Sequence, residues 1–102
     1  MKVLWTKFAL DSLSDIYSYY KNNVSVNIAS NIRNSILSST NQLQKHYQSG
    51  QIEEFLMGLN EGHRYIIRGN YKIIYKVLNQ TVYITDVFDS RQNPEKIKSR
   101  NK

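Results

Sequence analysis

The sequence contains no cysteine and no long apolar run, and these two absences exclude several classes of protein. Without cysteine, neither a disulfide nor a thiolate metal site can stabilise the fold. No segment approaches the roughly 18 consecutive apolar residues of a membrane-spanning helix, and the N-terminus lacks the apolar stretch of a secretory signal peptide. We therefore expect a cytoplasmic protein that does not associate with a membrane. No metal-ligand cluster, nucleotide loop or nucleophile–base pair is visible, so the sequence predicts no cofactor.

The length and the composition predict one small globular domain. The chain has 102 residues, of which 40% are hydrophobic and 22% are charged. A chain of this size can bury one core but not two, and the composition is that of a globular rather than a disordered protein. The sequence therefore predicts a single domain over residues 1–102, with a short basic C-terminal tail from about residue 94.

Positive charge is concentrated in the second half of the chain. The net charge is +6, and residues 64–102 hold nine basic and three acidic residues, whereas residues 1–63 hold five of each. Charge of one sign confined to one part of a small domain attracts an anionic partner, either a nucleic acid or an acidic protein. The alternative is a solvated surface with a disordered basic tail.

The first half of the chain has the pattern of a short strand followed by two helices. Residues 2–5 are apolar enough for a strand, and Thr6 is a suitable N-cap for the helix that follows. Apolar residues then recur at steps of three and four until residues 22–23, where two asparagines favour a turn. A second helix is predicted to begin near Ser25 and to end by Gly50. Because the link is short, we expect an antiparallel helical hairpin.

The second half has the pattern of an antiparallel sheet. β-Branched and aromatic residues dominate residues 63–77, where Gly69-Asn70 forms a hairpin signal, and a third strand follows at residues 81–88 after a turn at Asn79-Gln80. Residues 53–57 are a further, strand-like piece. The predicted fold is therefore α+β, with an N-terminal strand and a helical hairpin packed on a mainly antiparallel sheet of about four strands.

Two registers are open to the first hairpin. A two-residue turn pairs Arg68 with Tyr71 and directs Arg64 and Arg68 toward the helices. A one-residue shift through a bulged turn instead places both arginines on the open face with Lys72 and Lys76. Because burying an unpaired guanidinium costs more than a bulge, and hydrophobic patterning usually fixes register, the sequence predicts the shifted pairing. In either register the turn at Asn79-Gln80 places Tyr83 beside the lysines.

Two segments carry a resemblance to a known family. Residues 64–75 read Arg-Tyr-Ile-Ile-Arg-Gly-Asn-Tyr-Lys-Ile-Ile-Tyr, and residues 87–94 read Val-Phe-Asp-Ser-Arg-Gln-Asn-Pro. Together with the order of elements, they resemble the RelE/ParE toxins of bacterial type II toxin–antitoxin systems. The resemblance implies an antiparallel sheet backed by the helical hairpin, and a cognate antitoxin that wraps the toxin and blocks it.

The resemblance also implies a target and a site. RelE-like members cut mRNA on the ribosome, whereas ParE-like members inhibit DNA gyrase without catalysis. We expect growth arrest through mRNA cleavage, with gyrase inhibition, or a basic nucleic-acid-binding module without catalysis, as alternatives. Strand-borne and nearby cations supply the positive charge that phosphate-oxygen stabilisation requires. The predicted catalytic residues are Arg64, Lys72 and Arg91, and the predicted target-binding residues are Arg68, Lys76 and Tyr83. Lys72 takes the place of a family arginine, but lysine lacks the bidentate fork of arginine.

One departure from the RNA-cutting relatives concerns the C-terminal segment. Those relatives carry a tyrosine, or a histidine and a tyrosine, in that segment for base stacking or proton transfer. After Phe88 this chain has neither residue type, and its two histidines, His46 and His63, lie outside the expected position. The departure weakens the interpretation as a ribonuclease but does not establish gyrase as the target.

Overall fold

The fold is built from one sheet, a helical hairpin and three short helical pieces. The computed structural model describes residues 1–101. The strands are β1 (Lys2–Trp5), β2 (Gln51–Ile52), β3 (Arg64–Arg68), β4 (Tyr71–Leu78) and β5 (Thr81–Asp89). The α-helices are α1 (Lys7–Asn23), α2 (Val26–Ser39) and α3 (Lys96–Arg100), and two 3-10 helices span Thr40–Gln44 and Glu54–Leu59.

Side-chain caps set the start of each long helix. The hydroxyl of Thr6 accepts a hydrogen bond from the amide of Ala9 at 3.1 Å, and the hydroxyl of Ser25 accepts one from Ile28 at 3.1 Å. Each bond satisfies an amide that the first helical turn leaves without a partner. Both predicted starts, and the end of α1 at Asn23, are confirmed.

The sheet has the strand order β1-β5-β4-β3-β2. β1 runs parallel to β5, with Lys2 opposite Thr81, and every other neighbouring pair is antiparallel. The predicted α+β class is confirmed. The fifth strand is β2, whose two residues pair with Tyr65 and Arg64.

The predicted register of the first hairpin is wrong. Arg68 lies opposite Tyr71, so the turn contains two residues, and Arg64 lies opposite Tyr75. Gly69 has a φ of +58°, the left-handed conformation that glycine adopts without steric cost. Arg64 and Arg68 therefore share the helix side of the sheet with Ile66, and not an open face with the lysines.

Residues 53–57 do not form a strand. The segment is mostly the 3-10 helix of residues 54–59, and the Oε1 of Glu53 accepts a hydrogen bond from the amide of Phe55 at 3.2 Å. This local hydrogen bond favours the start of a helix over a strand. The Glu53 side chain satisfies the Phe55 amide, which in a strand would bond to a neighbouring strand.

Apolar side chains pack on both faces of the sheet. The helical hairpin covers the main cluster, which includes Ala9, Leu13, Ile36, Ile73 and Ile84. A smaller cluster on the other face consists of Leu56, Ile74, Phe88 and Ile97. Ile97 belongs to α3, so part of the segment predicted to be a basic tail is packed on the sheet. None of the helices in residues 1–101 is long and apolar enough to cross a membrane.

Candidate functional site

The register of the hairpin separates the predicted site residues. Arg64 and Arg68 lie on the same face of β3 as Ile66, which is the face that the helical hairpin covers. Lys72 lies on the opposite face of the sheet, because its neighbours in β4, Tyr71 and Ile73, face the hairpin. Lys76 lies opposite Tyr83 in the β4–β5 pair, as predicted. The six residues consequently do not form one cluster.

Lys72 is part of a partly buried ion pair. Its Nζ lies 3.1 Å from Oε2 of Glu53, and the exposed fractions of the two side chains are 18% and 1%. The same Nζ lies 4.2 Å from the ring centroid of Tyr65, within cation–π range. The ammonium that was predicted to contact phosphate is thus already neutralised by a carboxylate of the same chain.

A second ion pair, between Lys76 and Glu61, lies beside a buried histidine. The Nζ of Lys76 donates to Oε1 of Glu61 at 3.0 Å, and this hydrogen bond lowers the pKa of the Glu61 carboxyl. Nε2 of His63 lies 3.9 Å from the same oxygen. Burial, followed by the charge of Lys76, lowers the pKa of His63, and Nδ1 of this ring has no hydrogen-bond partner among the described residues. The lowered pKa favours the neutral form of the His63 ring, which lies beside the ion pair.

The two arginines of β3 bond to neutral groups. Nη1 of Arg64 donates to the carbonyl oxygen of Gly50 at 2.8 Å, with a longer contact to that of Gln48 at 3.5 Å. Nε of Arg68 donates to the hydroxyl of Ser35 on α2. Among residues 1–101, no carboxylate forms a salt bridge with either guanidinium. Arg68 is exposed, so its positive charge is accessible.

Arg91 lies just beyond β5 and is held by Asp89. Nε and Nη2 of Arg91 donate to the two carboxylate oxygens of Asp89 at 2.9 and 2.7 Å, and the Arg91 amide donates to Oδ1 at 2.9 Å. The hydrogen bond from the guanidinium is the main cause of the lowered pKa of Asp89. This pairing is bidentate, the geometry in which an arginine would otherwise bind phosphate.

A buried carboxylate, Asp86, was not singled out from the sequence. Asp86 is 0% exposed and accepts hydrogen bonds from Arg100 at 2.8 and 3.1 Å and from Asn101 at 3.0 Å. The hydroxyl of Ser12 on α1 donates to it at 3.2 Å. The signal in the sequence was an aspartate inside β5, next to the apolar residues Val87 and Phe88. The network joins the C-terminal helix to β5 and α1.

Two depressions meet at a pair of tyrosines. The hydroxyl of Tyr71 donates to that of Tyr20 at 3.2 Å, and burial, followed by this bond, raises the pKa of Tyr71. On one side lies a cleft of about 550 Å³ between α1 and the segment after β5, which we call the terminal cleft. On the other side lies a groove of about 380 Å³ between α2 and the β3–β4 turn, which we call the turn groove. Both depressions are lined by Tyr20 and Tyr71.

The described residues offer binding surfaces more readily than a reaction centre. No three histidine, aspartate or glutamate side chains within residues 1–101 are grouped so that they could hold a metal ion. Arg64 and Lys72, two of the three predicted catalytic residues, lie on opposite faces of the sheet. RNA cleavage by a 2′-hydroxyl needs a base, an acid and positive groups around one phosphate. The assigned roles of Arg64, Lys72 and Arg91 remain predictions.

Comparison with known proteins identifies the family. A sequence profile described as the ParE toxin of type II toxin–antitoxin system, parDE, matches residues 3–94. The chain belongs to this family of toxins, within the RelE/ParE superfamily, and the membership implies a cognate antitoxin. No curated protein sequence matches the chain significantly.

A solved structure shares the fold. A chain from the chromosomal ParDE toxin–antitoxin system of P. aeruginosa superposes with a TM-score of 0.74 at 20% sequence identity. The match covers 87% of this chain and 95% of that chain. The fold is therefore common to both proteins, although only a fifth of the aligned residues are identical.

Proposed function

We propose that this toxin arrests growth by binding and inhibiting DNA gyrase, without catalysing a reaction. Inhibition by binding needs a complementary protein surface and no acid–base apparatus. Membership of the ParE family supports this target, because gyrase is the target that the resemblance implies for ParE-like members.

The observation that carries the proposal is the separation of the predicted catalytic cations. Arg64 and Lys72 lie on opposite faces of the sheet, and Glu53 neutralises Lys72. Arg91 is engaged by Asp89 on both of its carboxylate oxygens. In the transition state of RNA cleavage, the phosphate would have to displace these carboxylates from Lys72 and Arg91. The loss of the two ion pairs would offset the electrostatic stabilisation that the new phosphate contacts supply.

The test is a direct comparison of two targets with the same purified toxin. Relaxed plasmid, gyrase and ATP report supercoiling, and a translation extract with a labelled mRNA reports cleavage. We expect the toxin to stop supercoiling and to leave the mRNA intact. The control is the toxin saturated with its antitoxin, which should inhibit neither reaction. Unimpaired supercoiling at saturating toxin would refute the proposal.

Ribosome-associated mRNA cleavage is the second candidate, and one observation favours it. Lys76 and Tyr83 lie opposite each other on the face of the sheet that also carries Lys72. Tyr83 could contact a base, and Lys76 could contact the RNA backbone once a phosphate had displaced Glu61 from it. In that case the mRNA would be cut in the extract, and Tyr83→Thr together with Lys76→Gln would reduce the cutting while the protein stayed folded.

A further inference from the structure

Strand β1 lies at one end of the sheet and has a neighbouring strand on one side only. The amide of Thr6, directly after β1, donates to the carbonyl oxygen of Ile84 in β5 at 3.0 Å. Because successive residues of a strand direct their N–H and C=O groups to alternate edges, Leu4 also bonds toward β5. Val3 and Trp5 therefore direct theirs to the free edge, where no turn, loop or helix of residues 1–101 forms a backbone hydrogen bond with them.

The side chains at this edge leave room for another strand. Val3 and Trp5 pack against the main cluster under the helical hairpin, so Leu4 lies on the other face of the sheet, opposite Tyr83 of β5. Leu4 is 42% exposed. The strand has one charged residue, Lys2 at its start, and neither a proline nor a bulge that would prevent pairing. An unpaired strand edge with an exposed apolar side chain is a template for a further strand.

We infer that the free edge of β1 binds a second copy of this chain, with the two β1 strands antiparallel about a two-fold axis at Leu4. Val3 of each copy lies opposite the partner's Trp5, and the two residues exchange both of their backbone hydrogen bonds. The two sheets become one continuous sheet of ten strands, five from each copy. The backbone groups of Val3 and Trp5 are then satisfied in both copies.

The pattern of side chains along β1 favours a second copy as the occupant. With the axis at Leu4, the two Leu4 side chains meet each other, and Lys2 lies opposite the partner's Thr6, so no like charges are paired. With the axis at Val3, the apolar Leu4 would instead lie opposite the partner's Lys2. A two-fold contact uses the same surface twice, so the strand has to complement only itself.

The distribution of charge is compatible with this association. The positive excess of the chain belongs to residues 64–102, whereas residues 1–63 hold five basic and five acidic residues. The contact is also small, because β1 has only four residues. We therefore expect a weak dimer of the free toxin, with a Kd on the order of 10–100 µM.

The first experiment introduces like charges on the axis. Leu4→Lys places two ammonium groups opposite each other in the dimer. Leu78→Lys is the matched control, because Leu78 is 52% exposed at the end of β4, two strands from the free edge. Sedimentation equilibrium of the free toxin should show dimerisation weakened about tenfold or more by Leu4→Lys and changed less than about twofold by Leu78→Lys. Circular dichroism confirms that both variants are folded. A wild-type toxin that is monomeric at about 500 µM, or equal effects of the two changes, would overturn the inference.

The second experiment tests the position of the axis with a single thiol. The chain has no cysteine, so Leu4→Cys carries the only one. Residues opposite each other in a non-hydrogen-bonded antiparallel pair have Cα atoms about 4.5 Å apart, within the range that a disulfide spans. Under mild oxidation, Leu4→Cys should form a covalent dimer about tenfold faster than Leu78→Cys or Lys2→Cys. Equal rates for Leu4→Cys and Leu78→Cys, or a faster rate for Lys2→Cys, would contradict the arrangement.

The third experiment separates a second copy from another partner strand. In a two-fold dimer, the amides of Val3 and Trp5 should exchange with solvent more slowly as the concentration of free toxin rises, as measured by NMR. Slower exchange that appears only when antitoxin is added would assign the edge to the antitoxin and overturn the inference. All three experiments use the toxin without gyrase, so their outcome is independent of the proposed target.

Discussion

The ammonium of Lys72 lies 3.1 Å from the carboxylate of Glu53, a residue from a distant part of the chain that is almost fully buried. This pair anchors the segment between β2 and the 3-10 helix of residues 54–59 to the middle of the sheet. It also explains how a lysine at a central strand position is accommodated, since a buried charge is tolerated only when it is paired.

Removal of the Glu53 charge should therefore destabilise the protein. Glu53→Gln leaves Lys72 partly buried without a carboxylate, and we expect the free energy of unfolding to fall by about 1.5–2 kcal/mol. Glu54→Gln, at an exposed neighbouring position, should change it by less than about 0.5 kcal/mol. Urea denaturation measures both values. Similar stabilities for the two variants would show that the ion pair contributes little.

Loss of Arg100 should have a larger effect on stability. Arg100 and Asn101 supply three of the hydrogen bonds to the fully buried carboxylate of Asp86. Arg100→Ala leaves this charge poorly compensated and should cost about 3 kcal/mol. Lys96→Ala, in the first turn of the same helix, is the control and should cost less than about 0.5 kcal/mol. A small effect of Arg100→Ala in urea denaturation would contradict the view that α3 is part of the folded unit.

Gly50 is a position where a single added methyl group should disturb the core. A Cβ there would lie 2.5 Å from the hydroxyl of Tyr75 and 2.8 Å from the carbonyl oxygen of Tyr65. We expect Gly50→Ala to lower the free energy of unfolding by about 2 kcal/mol, because the buried Tyr75 would have to move. At Gly58 a Cβ would contact nothing within 4 Å, so Gly58→Ala should be neutral or stabilising when both variants are compared by urea denaturation.

His63 should make stability depend on pH. Burial lowers its folded pKa below the ordinary value of 6.5, so the unfolded chain binds a proton more readily than the folded one. The stability attributable to the neutral ring is present above pH 6.5 and is lost as the pH falls from there toward the folded pKa. An NMR titration of His63 should give a midpoint below 6.5, and Lys76→Gln should raise it, because the charge of Lys76 contributes to the lowering. A midpoint above 6.5 in the native protein would disprove the assignment.

The sequence predicted the elements whose causes are local. The helix starts at Thr6 and Ser25 depend on one hydroxyl and an amide three residues later, and both were correct. The turn at Asn79-Gln80 and the pairing of Lys76 with Tyr83 were also correct, since a two-residue turn fixes the register of its strands.

The errors arose where contacts between residues distant in the sequence determine the structure. The shifted hairpin was preferred because Arg64 and Arg68 were assumed to have no partners on the helix side. In the structure the carbonyl oxygen of Gly50 and the hydroxyl of Ser35 provide those partners, 14 and 33 residues away. The division of the cations between two faces follows from this register and could not be read from the spacing of residues alone.

The parallel pairing of β1 with β5 has a consequence for how the toxin is produced. Lys2 and Thr81 are neighbours in the sheet but about 80 residues apart in the chain, so the first strand cannot find its partner until most of the protein has left the ribosome. Closing such a loop is entropically costly and slows folding. During synthesis the growing chain therefore spends a period without a complete sheet, and in that period its unpaired strands are open to proteases.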